Sequence, residues 1–176
     1  MTIKVLEKVA GCMPQIIDKG DWIDLYTAVD ITLLAPYAKT LHRRKDDKDI
    51  TNVTRDVKFN SALISLGVAM QLPKGYEAVI VPRSSTFKKY GIMQTNHIAV
   101  IDNSYCGNDD VWKYPIVATD DVTIPKDTRL CQFRVQLSQK ATVWQKIKWL
   151  FSSSIKLKQV SSLEGTNRGG FGTTNN

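Results

Sequence analysis

The sequence has few of the residues that metal centres and disulfide frameworks require. It contains only two histidines, His42 and His97, which excludes a histidine-rich metal site. Its three cysteines, Cys12, Cys106 and Cys131, are odd in number and lack the spacing of a metal motif. They fit reduced thiols in a cytoplasm. No apolar run approaches the roughly 20 residues of a membrane-spanning helix.

The sequence also lacks the patterns of α/β nucleotide-binding folds. Strands do not alternate with long helices, and no dinucleotide-type glycine fingerprint occurs. Short apolar segments separated by turns are present instead, and residues 64–70 alternate with the period of a half-buried strand. Residues 1–14 alternate too, which predicts a first strand and not a signal peptide. These patterns predict an all-β fold, either a barrel or a sandwich.

Positive charge is in excess. The 24 lysines and arginines outnumber 17 acidic residues, giving a formal net charge of +7. A nucleoside triphosphate or a nucleic acid would be a suitable partner for such a chain. Solubility alone would explain the same composition, so charge does not separate these interpretations.

Two segments interrupt the strand pattern. Apolar residues recur at helical spacing in Val143–Phe151, which predicts a short helix. Its apolar stripe could bind a membrane or nucleic acid, but packing on the barrel or on another subunit is the favoured interpretation. The stretch His42–Arg55 mixes both charge signs and is interpreted as a solvated loop or hairpin tip, not a metal site.

The candidate catalytic residue stands at the end of an apolar run. Ile98–Ile101 suits a buried strand, and Asp102 ends it directly before a turn. A carboxylate at the mouth of a hydrophobic strand can act as a general base, although most such residues only cap turns. The segment PRSS lies upstream of this run, and RGGFGTT lies near the chain end.

Five ordered segments resemble the motifs of the trimeric all-β dUTP diphosphatases (dUTPases). They are GDWIDLYTA (20–28), PRSST (82–86), NHIAVIDNSYCG (96–107), TRLCQF (128–133) and NRGGFGTT (167–174). The second and third motifs resemble the branch found in Gram-positive bacteria and their phages. The resemblance implies a jelly-roll-like β-barrel over residues 1–163 with one short helix. It also implies a flexible glycine-rich arm, residues 164–176, that closes over the active site.

The resemblance further implies hydrolysis of dUTP to dUMP and pyrophosphate by water attack on the α-phosphate. That reaction limits uracil in DNA and supplies dUMP for dTMP synthesis. The family precedent implies Mg²⁺ as cofactor and a homotrimer whose active sites are shared between chains, with the C-terminal arm of one chain crossing to complete the site of a neighbour. Neither a membrane nor a nucleic acid is required, and the expected location is the cytoplasm of a bacterium or of a phage-infected host.

Each motif supplies residues suited to this reaction. The resemblance implies that Asp102 is the general base, that Tyr105 packs under the deoxyribose, and that Asn96 reads the uracil edge. It implies that Arg168 reaches the γ-phosphate and that Phe171 covers the base. The remaining candidates are phosphate ligands, namely Arg83, Ser84, Ser85 and Gln132. Asp24 is the candidate that contacts the metal through its water shell.

The chain departs from the family pattern in its fifth motif. The arginine usually precedes the phenylalanine by five residues, whereas here Thr166 holds that place and Arg168 stands three before Phe171. Two alternatives stay open. A dCTP deaminase of the same fold would carry a glutamate in the third motif, where this chain has Asp102. A dUTPase-like module with a regulatory protein-binding role could use residues 42–45 or the 143–151 helix.

Overall fold

The computed structural model describes residues 1–43, 53–151 and 154–170. Over these residues the chain is mostly strand, which confirms the all-β prediction. The strands are β1 (Thr2–Glu7), β2 (Gln15–Ile16), β3 (Ile23–Tyr26), β4 (Ile31–Leu33), β5 (Tyr37–Arg43), β6 (Val53–Lys58), β7 (Ser61–Gln71), β8 (Tyr76–Pro82), β9 (Ile92–Gln94), β10 (Ala99–Ile101), β11 (Val111–Ala118), β12 (Val122–Ile124), β13 (Arg129–Leu137) and β14 (Lys156–Gln159). The helices are α1 (Thr86–Tyr90) and α2 (Val143–Leu150). The sequence predicted α2 but not α1.

Two five-stranded sheets hold the core between them. One has the order β14-β1-β7-β11-β9 and the other β10-β8-β13-β3-β2. Two-stranded sheets, β12-β4 and β5-β6, complete the described strands. No closed barrel forms among the described residues, so the architecture is a sandwich of open sheets and differs in this respect from the barrel that the resemblance implies.

The core follows from period-two alternation. The predicted apolar positions of β7 are all buried, and β11 buries every second residue. Trp112 of β11 and Phe133 of β13 join the two sheets through an edge-to-face contact, with 5.2 Å between ring centroids. Both side chains are fully buried, so this pair lies within the core of the sandwich.

Helix α2 begins with a capping box. The Thr142 hydroxyl accepts the Gln145 backbone N–H at 3.3 Å, and the Gln145 side-chain oxygen Oε1 accepts the Thr142 backbone N–H at 2.7 Å. This reciprocal pair satisfies two otherwise unpaired backbone donors, so it explains where the predicted helix starts. The helix is too short to cross a membrane, and no described helix is long and apolar enough to do so.

The apolar stripe of α2 lies in solvent in this chain. Trp144 and Leu150 are each 79% exposed, and Phe151 just after the helix is 84% exposed. Trp149 alone of the helix's aromatic residues packs inward, with its ring centroid 5.5 Å from that of Tyr76. The prediction that the stripe packs on the chain's own sheets is therefore wrong, and packing on another subunit stays a prediction.

The charged stretch His42–Arg55 lies largely outside the described residues. Its two ends belong to β5 and β6, which pair antiparallel. Residues 44–52 between them are not described.

We predict that Trp112→Ala destabilises the fold by about 3–5 kcal/mol, because it removes the aromatic contact between the sheets and leaves a cavity. Urea unfolding at fixed protein concentration measures the change. Trp144→Ala is the matched control and should change stability by no more than about 0.5 kcal/mol. Equal effects of the two substitutions would contradict the central position of Trp112.

Candidate active site

Strand β8 separates the predicted site residues into two groups. Its neighbour β10 runs antiparallel to it, with Ile101 opposite Ala78. Asp102 therefore emerges beside the start of β8, whereas Arg83 follows the end of that strand. Arg83 is six positions beyond Glu77 along this extended segment, which corresponds to about 20 Å. One chain thus carries two half-sites.

The first group, which we call the base half-site, consists of Asp102, Ser104, Tyr105 and Arg168. The Ser104 N–H donates to Asp102 Oδ1 at 2.8 Å, and the Ser104 hydroxyl donates to the same oxygen. The Arg168 guanidinium pairs with the other carboxylate oxygen. A cavity of about 250 Å³ opens beside these groups and is lined in part by Tyr105 and Gly170.

The carboxyl group of Asp102 stays ionised at neutral pH. Burial raises its pKa, but the hydrogen bonds from Ser104 and Arg168 together outweigh burial and leave the pKa below its usual value. The side chains of Arg168 and Asp102 are 39% and 46% exposed, so water screens this ion pair. A phosphate group can therefore compete with Asp102 for Arg168.

Tyr105 forms a fixed aromatic wall in the base half-site. Its hydroxyl donates to the Val111 carbonyl oxygen at 3.0 Å. Gly170 lies against the ring, and a methyl group at this position would lie 3.2 Å from the ring carbon Cε2. Burial, with a smaller effect of the Asp110 charge, raises the pKa of Tyr105, so the side chain stays neutral.

The second group, which we call the arginine half-site, is built around Asp24. This carboxylate is 2% exposed. Arg83 Nε lies 3.0 Å from Asp24 Oδ1, and Arg129 Nη1 lies 3.5 Å from Asp24 Oδ2. A buried carboxylate requires such partners, so Asp24 holds two guanidiniums side by side. The sequence analysis missed Arg129, although this residue is the cation of the fourth motif.

The remaining predicted phosphate ligands lie near the arginine half-site. Gln132 stands opposite Asp24 on neighbouring strands, and its side-chain N–H donates to the Pro82 carbonyl oxygen at 3.5 Å. Ser84 is exposed, and Ser85 is the N-cap residue of α1 without a side-chain capping bond.

Asn96 lies apart from the residues with which it was expected to bind the nucleoside. It lines a groove of about 500 Å³ together with Arg83, Ser84 and His97. The base half-site, with Tyr105, is at the other end of β10. Phe171 lies outside the described residues, so its predicted contact with the base stays a prediction.

The first part of the predicted arm, residues 164–170, lies on the chain's own third motif. Gly165 forms a parallel bridge with Gly107. Asn167 exchanges two hydrogen bonds with Asp109, at 2.9 and 2.8 Å. Arg168 thus reaches the Asp102 of its own chain, whereas the resemblance implies an arm that crosses to a neighbour.

We predict that Arg168→Ala raises the pKa of Asp102 toward its ordinary value of 3.8, because the substitution removes the charged one of its hydrogen-bond donors and leaves the neutral Ser104. A ¹³C-carboxyl NMR titration measures this pKa. The folded-state pKa is lowered, so the ion pair stabilises the fold at neutral pH and this contribution disappears as the pH falls through the lowered value. Lys126→Ala, which removes an equal charge elsewhere, should leave the Asp102 titration unchanged. An Asp102 titration that is the same in Arg168→Ala and wild type would contradict the contact.

Comparison with known proteins identifies the family. The dUTPase family model matches residues 50–173. The SPbeta prophage-derived deoxyuridine 5'-triphosphate nucleotidohydrolase YosS of Bacillus subtilis is 38% identical over 157 residues, which cover 89% of this chain and 85% of that protein. The deoxyuridine 5'-triphosphate nucleotidohydrolase of Finegoldia magna is 29% identical over 181 residues, which cover 99% of each chain.

Solved structures share the fold. The dUTPase from Streptococcus mutans superposes with a TM-score of 0.60 at 15% identity, over 81% of this chain and 99% of that one. A mutant dUTPase from phage phi11 of S. aureus gives a TM-score of 0.58 at 15% identity, over 81% of this chain and 95% of that one. On the extent of the family match and the similarity to the prophage relative, the chain belongs to the dUTPase family.

Proposed function

We propose that this chain hydrolyses dUTP to dUMP and pyrophosphate, with Asp102 as the general base. The observation that carries the proposal is an ionised carboxylate beside an open cavity, with an aromatic wall and a releasable guanidinium next to it. The names of the relatives agree with this activity. The rival deaminase would require a glutamate in the third motif, and the chain has Asp102 there.

The chemistry requires one proton acceptor and several groups that neutralise phosphate charge. Asp102 holds a water molecule and accepts its proton as the water oxygen attacks the α-phosphorus. The bond from the α-phosphorus to the oxygen that bridges to the β-phosphate breaks, and pyrophosphate leaves. Arg168 turns from Asp102 to the phosphates, which also frees the base.

The arginine half-site supplies the other phosphate contacts. Arg83 and Arg129 present guanidiniums that can bind phosphate oxygens through paired N–H groups. Gln132 is the neutral donor for the α-phosphate, and Ser84 and Ser85 offer hydroxyl donors.

Tyr105 gives the site its preference for deoxyribose. Its ring is held from one side by Gly170 and at its hydroxyl by Val111. A sugar stacked on so rigid a wall has no space for a 2′-hydroxyl, and burying that hydroxyl without a partner would cost several kcal/mol, on the order of 2–7.

Mg²⁺ fits this chain only as an ion held mainly by the triphosphate and by water. The described residues contain no group of three metal-ligating side chains. Asp24 already pairs with two arginines, so it fits as an acceptor for a coordinated water and not as a direct ligand. The bound ion would neutralise part of the phosphate charge. A structural Mg(II) ion is described for the phage phi11 protein.

The complete site forms between chains of a homotrimer. Attack requires the water on Asp102 to lie about 3–3.5 Å from the α-phosphorus, which Gln132 and Arg83 must also hold. Arg83 lies about 20 Å from Asp102 along β8, and Gln132, which stands opposite Val81, lies about 13 Å from it along the same strand, so one chain cannot hold all three at one phosphate. We therefore infer that the base half-site of one chain meets the arginine half-site of another.

We predict that Asp102→Asn lowers kcat for dUTP by roughly 10²–10⁴, the usual contribution of a general base. Pyrophosphate release from dUTP with magnesium measures kcat. In the same assay, the wild-type protein should hydrolyse UTP far more slowly than dUTP. Asp120→Asn is the matched control, because Asp120 also accepts the N–H of a following residue in a turn but lies away from the site. Reaction in ¹⁸O-labelled water should place the label in dUMP. Turnover of Asp102→Asn within twofold of wild type would remove Asp102 from the mechanism.

We predict that two inactive variants restore activity when they are mixed. Asp102→Asn disables the base half-site, and Arg83→Lys keeps the charge beside Asp24 but loses the paired N–H groups. Co-refolded trimers should regain activity at about a quarter of their sites, the fraction expected from random assortment in a ring. Native mass spectrometry checks that mixed trimers form, and their inactivity would contradict a shared site.

A second mixture tests the path of the arm. Asp102→Asn and Arg168→Ala alter the same half-site if the arm stays on its own chain, so their mixture should not recover. Recovery in this mixture would show that the arm crosses to a neighbour, as the family resemblance implies.

A further inference from the structure

A buried carboxylate outside the predicted site lies between the third motif and the arm. Asp110 is 1% exposed. Its oxygens accept the backbone N–H groups of Gly107 at 2.9 Å, of Arg168 at 3.0 and 3.1 Å, and of Gly169 at 3.0 Å. Two of the three donors belong to the arm.

These hydrogen bonds couple the arm to the third motif. A carboxylate without partners is very costly to bury, and charge-assisted hydrogen bonds are about twice as strong as neutral ones. If the arm left, Asp110 would keep only the Gly107 N–H of the three. The charge of Asp110 therefore favours the docked arm. The other contacts of the arm, such as Lys4 with Glu164 and Asn167 with Asp109, are exposed and contribute less.

The backbones of the two segments are shaped for this contact. A methyl group at Gly107 would overlap Asn167, and one at Gly165 would overlap Cys106. Gly169 has a φ of 71°, in the left-handed region that favours glycine. This conformation allows two successive N–H groups, those of Arg168 and Gly169, to reach the same carboxylate.

We propose that Asp110 is a positioning residue that anchors the C-terminal arm on the third motif and thereby places the Arg168 side chain at Asp102 and at the substrate phosphates. The anchoring stands on the contacts alone, whereas the catalytic consequence rests on the proposed hydrolysis of dUTP. Asp110 acts through Arg168 and does not itself touch the reacting atoms.

Hydrogen exchange tests the anchor without substrate. Asp110→Asn keeps the shape of the side chain but removes its charge and replaces one acceptor oxygen with a donor. The amides of Arg168 and Gly169 should then exchange at least about tenfold faster, since losing a buried hydrogen bond to a charged group has an effect of that order. Cleavage by trypsin after Arg168 should accelerate in parallel. Unchanged exchange at both amides would overturn the proposal, whatever the activity.

Asp121→Asn is the matched control for exchange. Asp121 also accepts a backbone N–H, that of Ala35 at 2.6 Å, but lies beyond the opposite end of β11 from Asp110. Its substitution should leave exchange of the Arg168 and Gly169 amides as in wild type. Equal acceleration in both variants would assign the effect to general loosening and overturn the anchor.

A double-mutant cycle tests the catalytic consequence. Asp110→Asn alone should lower kcat/KM for dUTP at least about tenfold, but in the Arg168→Ala background it should cause little further loss, because both act through one side chain. If the losses of kcat/KM caused by Asp110→Asn and Arg168→Ala were additive in the double variant, Asp110 would not act through Arg168 and the proposed positioning role would be overturned. A wild-type protein that does not hydrolyse dUTP would remove the proposed function and the catalytic part, while the exchange result would still decide the anchor.

A second variant covers the case in which Asp110→Asn does not fold. Gly169→Ala leaves the sandwich and Asp110 intact but strains the left-handed residue that the docked arm requires. It should also accelerate exchange at Arg168 and Gly169 and lower kcat/KM. Wild-type exchange at Arg168 in this variant would overturn the anchored conformation.

Discussion

The length of one central strand determines how the catalytic groups are divided. Tyr76–Pro82 pairs with β10 on one side and β13 on the other, so it cannot slide without breaking two ladders. Its register is also fixed by burial: Ala78 and Ile80 lie in the core, and a shift by one residue would expose them. Asp102 and Arg83 are therefore held at opposite ends of the same rigid element, and association of chains is the route that we propose for bringing them to one phosphate.

Burial decides which of the two ion pairs can open for substrate. Asp24 is almost completely buried, so losing Arg83 would leave an uncompensated charge in a low-dielectric region. Asp102 remains partly hydrated and can release Arg168 at little cost. The arginine half-site is thus a lasting cationic surface, whereas the base half-site is the one that we propose changes its pairing when an anionic ligand binds. The same residue types serve different purposes because their solvent exposure differs.

Local patterns in the sequence predicted what local physics controls. Alternation placed the buried residues of β7, and helical spacing located α2, whose start the structure then explained by a capping box. The turn after Ile101 was predicted because the apolar run ends at Asp102, and the structure closes it with a contact between near neighbours, Asp102 and Ser104. Contacts between distant residues had no such signal. Asp24 and Arg129 are separated by 105 positions, and Asp110 and Arg168 by 58, so neither pairing follows from spacing. For α2, periodicity gave the apolar face but could not show what covers it.

The C-terminal arm shows how one composition supports two different physical interpretations. Its glycines predicted a segment too flexible to hold itself in place, because glycine loses much conformational freedom on ordering. In the structure two of them, Gly165 and Gly169, serve close approach and a left-handed turn against a complementary surface. That surface contains Gly107 and the Asp110 carboxylate, both in or beside the third motif. The cost of ordering the arm is thus opposed by charge-assisted hydrogen bonds to the Asp110 carboxylate, which is buried when the arm is docked. Glycine content alone consequently cannot distinguish a mobile tail from a docked one, and the deciding factor is whether another part of the chain presents acceptors at the matching spacing.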